Sequence, residues 1–387
     1  MISRAFAFLA GLALPLSPIA AEAADVLVVE RASGAVQIVD AERKTLRARI
    51  EGLGDLSHAT AVFTPDRSHA FVFGRDGGLS KIDLARGALV GRVIQGGNSI
   101  GGVLAKGGKI VAVANYVPGG VKLFDAATLE ALAEIPAVWG PNGERSKVVG
   151  LMPAPGDRLV FSLWEAGEIW IADIADPRKP AVTRFEDAGS FPYDGNITPD
   201  GRHYIAGLFG EDGLALLDLE HPEQGVRRIL DGYGRGEAPL PVYKMPHLGG
   251  WGVIGDLLLL PAIGRREVLL VDRRGWSEAG RIAVQGQPVF VVARPGRSEV
   301  WVNFAHPAND VVEVIDVASR RVVRRLVPGK AVMHIEFTPD GKEAWVSARD
   351  SGAVVVYDAD TGEPRARLAA ENPSGVFMAS RGLKVRS

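Results

Sequence analysis

Seven histidines and no cysteine set the limits of the chemistry open to this chain of 387 residues. Without thiols there is no disulfide, no thiolate metal site, no cysteine nucleophile and no covalent haem attachment through paired cysteines. Metal ligation then falls to neutral imidazole, and proton transfer to histidine, tyrosine or carboxylate. His58, His247 and His334 each stand at the opening of a run of alternating apolar residues, and Tyr193 opens another. Arg31, Arg75, Arg265, Arg266 and Arg349 lie in the turns that follow such runs, and Arg145 lies in a longer connection. Arginine suits carboxylates because its planar fork engages both oxygens, so the recurrence points to an anionic ligand. Each residue also has a plainer reading. The arginines can be neutralised locally, as by Asp76 and Asp350, His58 can be a polar residue satisfied at a strand start, His334 can serve packing instead of lining a pocket, and Tyr116 can face the core instead of a ligand carboxylate.

Whether these residues meet depends on the elements that carry them. Leu56 to Leu84, LSHATAVFTPDRSHAFVFGRDGGLSKIDL, alternates apolar and polar residues and is cut by Thr64-Pro65-Asp66-Arg67 and by Gly74-Arg75-Asp76-Gly77-Gly78. That is three short antiparallel strands with their turns. The unit recurs. A strand ending in apolar-Asp returns at Asp40, Asp83, Asp125, Asp173, Asp218, Asp272, Asp316 and Asp358, at spacings of 42 to 54 residues. This is the length of a four-stranded propeller blade, and 47 glycines and 24 prolines spread along the chain suit many short strands and tight turns. The sequence therefore predicts an all-β fold, one eight-bladed β-propeller over residues 24–387. Asp25 to Val29 has no inner strand before it, whereas Glu371 to Ala379 follows a complete eighth unit. The C-terminal strand is expected to pair into blade 1 and close the ring.

Propeller geometry places inner-strand starts and the turns between second and third strands on one face. His58, Asn98, Arg145 to Lys147, Tyr193, His247, Gln287, His334 and Ser374 belong there, as do two long connections, Pro136 to Lys147 and Asp231 to Leu248, which are candidate lids. His69, His203 and His221 fall on the opposite face and read as structural or solvated, and His306 lies on the first face but further from the axis. A net charge of −2 gives no footprint for nucleic acid. Met1 to Ala23, with Arg4, an apolar stretch to Leu14 and Ala21-Glu22-Ala23, predicts a cleaved secretory leader over residues 1–23. The mature chain is then expected in the periplasm, with no membrane span after leader removal and no cysteine to lipidate.

Leu56 to Leu84 resembles the d1-haem domain of cytochrome cd1 nitrite reductases, in which a histidine opens a blade and a Gly-Arg-Asp-Gly turn precedes a strand ending Ile-Asp-Leu. Val113-Ala114-Asn115-Tyr116-Val117-Pro118, followed by Phe124-Asp125 and Thr128-Leu129-Glu130, is similar to the next blade, and the likeness is collinear over nearly the whole mature chain. The resemblance implies that His58 is the axial ligand of an iron tetrapyrrole and that His247 lies over the distal side. A second distal histidine is replaced: Asp194-Gly195 remains, but Tyr193 precedes it. That departure, and the lack of a c-type cytochrome domain in the likeness, argue against nitrite reduction and toward the stand-alone d1-propeller proteins of d1-haem biosynthesis. The implied ligand is d1-haem or its precursor, contacted by Arg75, Tyr116, Arg145, His334 and Arg349, with Tyr193 and His247 exchanging protons above the ring. The implied partners are d1-haem pathway proteins and nitrite reductase. An enzyme of the dehydrogenase kind, a carrier and an interaction scaffold all remain open at this level. A quinone-cofactor dehydrogenase is disfavoured by the missing cysteine pair and calcium motif.

Overall fold

Val, Ile, Leu and Phe at alternate places, interrupted by turn residues every six or so positions, give segments long enough for a strand and too short for a helix. A computed structural model describes residues 25–234, 236 and 251–380. The expected leader over residues 1–23, His247 and most of the Asp231 to Leu248 connection lie outside the described residues. The described residues form eight four-stranded antiparallel sheets and one two-stranded hairpin. Blade 2 is representative, with Thr60–Phe63 innermost, then His69–Phe73, Gly78–Asp83 and Ala88–Ile94 outermost. Blade 1 alone draws on both ends of the chain. Pro373–Met378 is its inner strand and pairs antiparallel with Asp25–Glu30, matching Val26 with Met378 and Val28 with Val376. The expected closure is therefore present. No helix among the described residues is long and apolar enough to cross a membrane.

The hydrophobic core is divided into eight layers, one between each pair of neighbouring blades. Phe71, Phe73 and Leu79 of blade 2, for instance, meet Val111, Val113 and Phe124 of blade 3, all fully or nearly fully buried. Each such side chain contributes roughly 1.5–3 kcal/mol on burial. The core thus fixes the angle of every blade to the next, and with it the ring of turns on each face.

The recurrent aspartate ends the third strand in all eight blades. Its carboxylate folds back onto one or two amide N–H groups of the following turn at 2.8–3.3 Å, from Glu42 and Arg43 onto Asp40 through to Asp360 and Thr361 onto Asp358. This is the Asx turn, and it explains why the residue type recurs. In Asp218, Asp272 and Asp358 an arginine adds to the amides, and the carboxyl is held at about 2. Because the folded value is depressed below the ordinary 3.8, the stabilisation is complete above that range and is lost as pH falls toward about 2. The expected result is a melting temperature that holds down to about pH 4 and then drops steeply, with a shallower drop in Asp358→Asn. Thermal melts across that range check this.

Candidate functional site

One backbone position is repeated around the propeller axis. The residue at the start of the second-to-third turn donates its N–H to the carbonyl of the residue leading into the same blade's inner strand. Arg75 bonds Asp55 at 2.8 Å, Trp164 bonds Lys147 at 3.0 Å, Phe209 bonds Phe191 at 2.9 Å, Ala305 bonds Gln287 at 2.8 Å and Arg349 bonds Ala331 at 2.9 Å. In blade 1 the corresponding residue after Asp25–Glu30 is Arg31. The side chains at this position form a collar on one face. It is cationic in blades 8, 1 and 2 and aromatic in blades 4 and 5.

In the cationic arc the three arginines are not equivalent. Arg349 grips its neighbour Asp350 through two hydrogen bonds of 2.6 and 3.2 Å, so the local neutralisation read from the sequence holds for it. Arg75 escapes that fate because Asp76 is taken by Arg92 at 2.5 Å and by the Gly78 N–H at 2.9 Å. Arg75 and the half-buried Arg31 make no side-chain hydrogen bond or ion pair among the described residues. Burial, then the charges of Arg349 and Arg75, lower the Arg31 pKa, against the pull of Asp55 and Asp350. Asp55 itself is held below the usual carboxylate range, first by the hydroxyl and amide of Ser57 and further by Arg75 and Arg31. His58 is three residues on. The Ser57 N–H to Asp55 bond of 2.8 Å and the fully buried Leu56 fix this segment, and His58 itself is half-buried.

The aromatic arc is built on Trp164. Edge-on around it stand Tyr116, Phe191, Tyr193 and Phe209, at centroid distances of 6.4, 6.2, 5.1 and 5.4 Å. The Tyr116 hydroxyl donates to the Tyr193 hydroxyl at 3.2 Å. Burial pushes the Tyr193 phenol well above its ordinary range, with Tyr116 and Asp194 adding to the shift and Arg75 opposing it. Burial likewise raises Tyr116, and again Arg75 opposes. Both hydroxyls therefore keep their protons at neutral pH, and the Arg75 cation is close enough to act on both. The Lys147 ammonium lies 5.3 Å from the Trp164 centroid and 5.9 Å from that of Tyr116. It is paired with Glu165, whose carboxylate also accepts from the Lys147 amide at 2.7 Å and the Ser146 hydroxyl at 3.0 Å. Burial alone would raise Glu165, but these bonds hold it below the usual range.

The remaining sequence-named residues are dispersed. His334 lies in Val332–Phe337 and its Nδ1 accepts the Val376 N–H at 2.8 Å, while its ring packs 5.1 Å from Phe377 and 6.1 Å from Phe290. It ties blade 8 to the closing strand. Arg145 is exposed in a hairpin of Val138–Trp139 with Glu144–Arg145, bonded to Glu134 at 2.7 Å and to the Gly119 carbonyl at 3.3 Å. The Pro136 to Lys147 connection is thus an ordered hairpin, and Lys147, not Arg145, reaches the aromatic arc. Arg265 pairs with Asp212 at 2.9 Å. His69 and His203 sit at second-strand starts on the opposite face, His69 on the Ser68 hydroxyl at 2.7 Å and His203 against the Trp276 ring at 5.0 Å. No group of three or more His, Asp or Glu side chains able to hold a metal ion occurs among the described residues. Trp164, Phe209 and Glu165 escaped the sequence reading. Aligning the residue that follows each second strand would have found the first two.

The family described as Cytochrome D1 heme domain matches residues 22–382. Protein NirF of Stutzerimonas stutzeri is 53% identical over 356 residues, covering 92% of this chain and 91% of that protein. Protein NirF of Pseudomonas aeruginosa is 54% identical over the same shares. The solved structure of dihydro-heme d1 dehydrogenase NirN in complex with DHE superposes with a TM-score of 0.80 at 28% identity, over 96% of this chain and 79% of that one. With an eight-bladed ring closed at blade 1 and these relatives spanning nearly its full length, the chain belongs to the cytochrome D1 haem domain family and is a NirF-type member of it.

Proposed function

We propose that this protein binds d1-haem or a late d1-haem precursor on the collar face, and modifies it or hands it on toward nitrite reductase maturation. The observation that carries the reading is the division of the collar. Two guanidinium groups without a partner among the described residues stand on one arc and five rings gather on the other, which matches a flat conjugated macrocycle with carboxylates on part of its rim. Arg31 and Arg75 would hold the carboxylates. His58 offers a neutral imidazole to the iron. Trp164 and its neighbours supply an apolar wall, and the protonated Tyr193–Tyr116 pair supplies hydrogen-bond donors near the bound ring, with His247 retained as the second proton-exchange residue. When bound, the iron macrocycle brings redox-active conjugation of its own. A dehydrogenase step is supported by the name of the NirN relative, and it requires an electron acceptor. The proposed place of action is the periplasm, which the expected leader supports, and nitrite reductase and the other pathway proteins are the proposed partners.

The test is a titration of the mature protein with d1-haem and its precursor, read by absorbance, for the wild type, His58→Ala and Tyr193→Phe. The wild type is expected to bind with a ligated-iron spectrum that His58→Ala loses. Tyr193→Phe is expected to bind normally and, if the protein turns its ligand over, to do so about 10²–10⁴-fold more slowly. An unchanged His58→Ala spectrum would remove that residue as axial ligand. Wild type that binds no tetrapyrrole would leave the scaffold reading. Turnover with an added oxidant separates enzyme from carrier.

A further inference from the structure

Phe191 breaks two local rules at once. It leads into the inner strand of blade 5, Pro192–Ile197, with a φ of 51°, in the left-handed region that bulky side chains avoid, and it leaves 42% of its surface exposed. The bend itself belongs to the fold. Ala331 before Val332–Phe337 and Asn372 before Pro373–Met378 occupy the same place in blades 8 and 1 with φ of 59° and 47°. Those blades fill it with a small buried residue and with asparagine, which tolerates this conformation. Blade 5 instead places a large apolar ring there and turns it outward.

The surroundings hold that ring in one pose. The Phe209 N–H donates to the Phe191 carbonyl at 2.9 Å and the Gly210 N–H to the Ser190 carbonyl at 3.1 Å. Gly210 is the residue that makes room, since a Cβ there would come within 2.8 Å of the Phe191 ring and 2.1 Å of the Ser190 hydroxyl. The ring stands at 68° to Trp164. Strain kept in place by a tailored environment, at the edge of a candidate site, is the pattern expected of a residue retained for contact and not for packing.

We infer that Phe191 is a ligand-gripping residue, whose ring, braced on Trp164 at the rim of the collar, packs against the conjugated face of a flat macrocycle and selects the substituents that fit in that quadrant. This rests on the proposal that the collar binds a tetrapyrrole. A residue of this kind costs the free protein stability and returns it on binding. A packing residue does the reverse. The experiment compares the wild type, Phe191→Asn and Phe191→Tyr by thermal melting without ligand and by absorbance titration with d1-haem. Phe191→Asn is expected to melt at or above the wild-type temperature while binding about tenfold more weakly with the ligated-iron spectrum intact, and Phe191→Tyr, which keeps the ring, to retain wild-type affinity. If Phe191→Asn binds as tightly as wild type, or melts several degrees lower whatever its affinity, the ring is a structural element and the inference falls. Wild type that binds no d1-haem rejects the tetrapyrrole reading itself, a distinct outcome.

Discussion

A chain cut before Glu371 is expected to lose its cooperative melting transition and to purify as aggregate. The cut removes Pro373–Met378, the inner strand of blade 1, and with it the entire ladder to Asp25–Glu30. Val376, Phe377 and Met378 are 0%, 6% and 1% exposed, so their loss forfeits roughly 5–9 kcal/mol of burial, an upper figure because the unfolded chain also buries some surface. Polar losses add to this. Glu30, only 2% exposed, is deprived of the Glu371 N–H that its carboxylate accepts at 2.8 Å, and His334 loses the Val376 N–H. The total reaches the whole stability margin of an ordinary domain, about 5–15 kcal/mol. What survives carries an unpaired inner strand edge, the standard template for association. Size-exclusion chromatography and a circular-dichroism melt decide the matter, and a soluble truncation with a single sharp transition would refute the closure as an energetic necessity.

The double variant Arg31→Ala/Arg75→Ala is expected to bind a carboxylate-bearing iron tetrapyrrole about a thousandfold more weakly, yet to melt no lower than the wild type. Each guanidinium would contribute charge-assisted hydrogen bonds worth about 1.5–3 kcal/mol, so the pair accounts for about 10²–10⁴ in affinity. Stability should not suffer, because neither side chain has a partner to lose among the described residues. Arg31 is moreover disfavoured in the free protein by burial and by the like charges of Arg349 and Arg75. Wild-type affinity should fall as salt rises, and that dependence should flatten in the variant. Absorbance titrations at low and high ionic strength, paired with melts, measure all three effects. Unchanged affinity in the double variant would sink the anion-binding assignment.

What the sequence made legible was local. The eight aspartates announce the blades because each performs its task within three residues of itself, capping its own turn, so no long-range contact is needed to keep the pattern. The arginines stand out because charge in a glycine-rich turn is conspicuous, but their state is not written there. Arg75 is left without an ion pair among the described residues because Arg92, 16 residues beyond Asp76 in the outer strand, takes that carboxylate, while Arg349 is claimed by its immediate neighbour. The aromatic arc stayed hidden for a related reason. Trp164 and Phe209 read as ordinary ends of apolar strands, and only the ring's curvature brings Tyr116 of blade 3 to Tyr193 of blade 5, 77 residues apart. Lys147 and Glu165 face each other across an inner and a second strand, a pairing that depends on register. Arg145, two residues from Lys147, was the more conspicuous cation and the less central one.

The join in blade 1 has one more effect. Arg349 belongs to blade 8 and Arg31 to blade 1, and what lies between them is the strand supplied from the far end of the chain, whose Glu371 amide reaches a carboxylate 341 residues away. Arg31 therefore experiences Arg349 and Asp350 only once the circle is shut. If the arginine arc binds the ligand as proposed, a partly folded or clipped molecule would present only part of it.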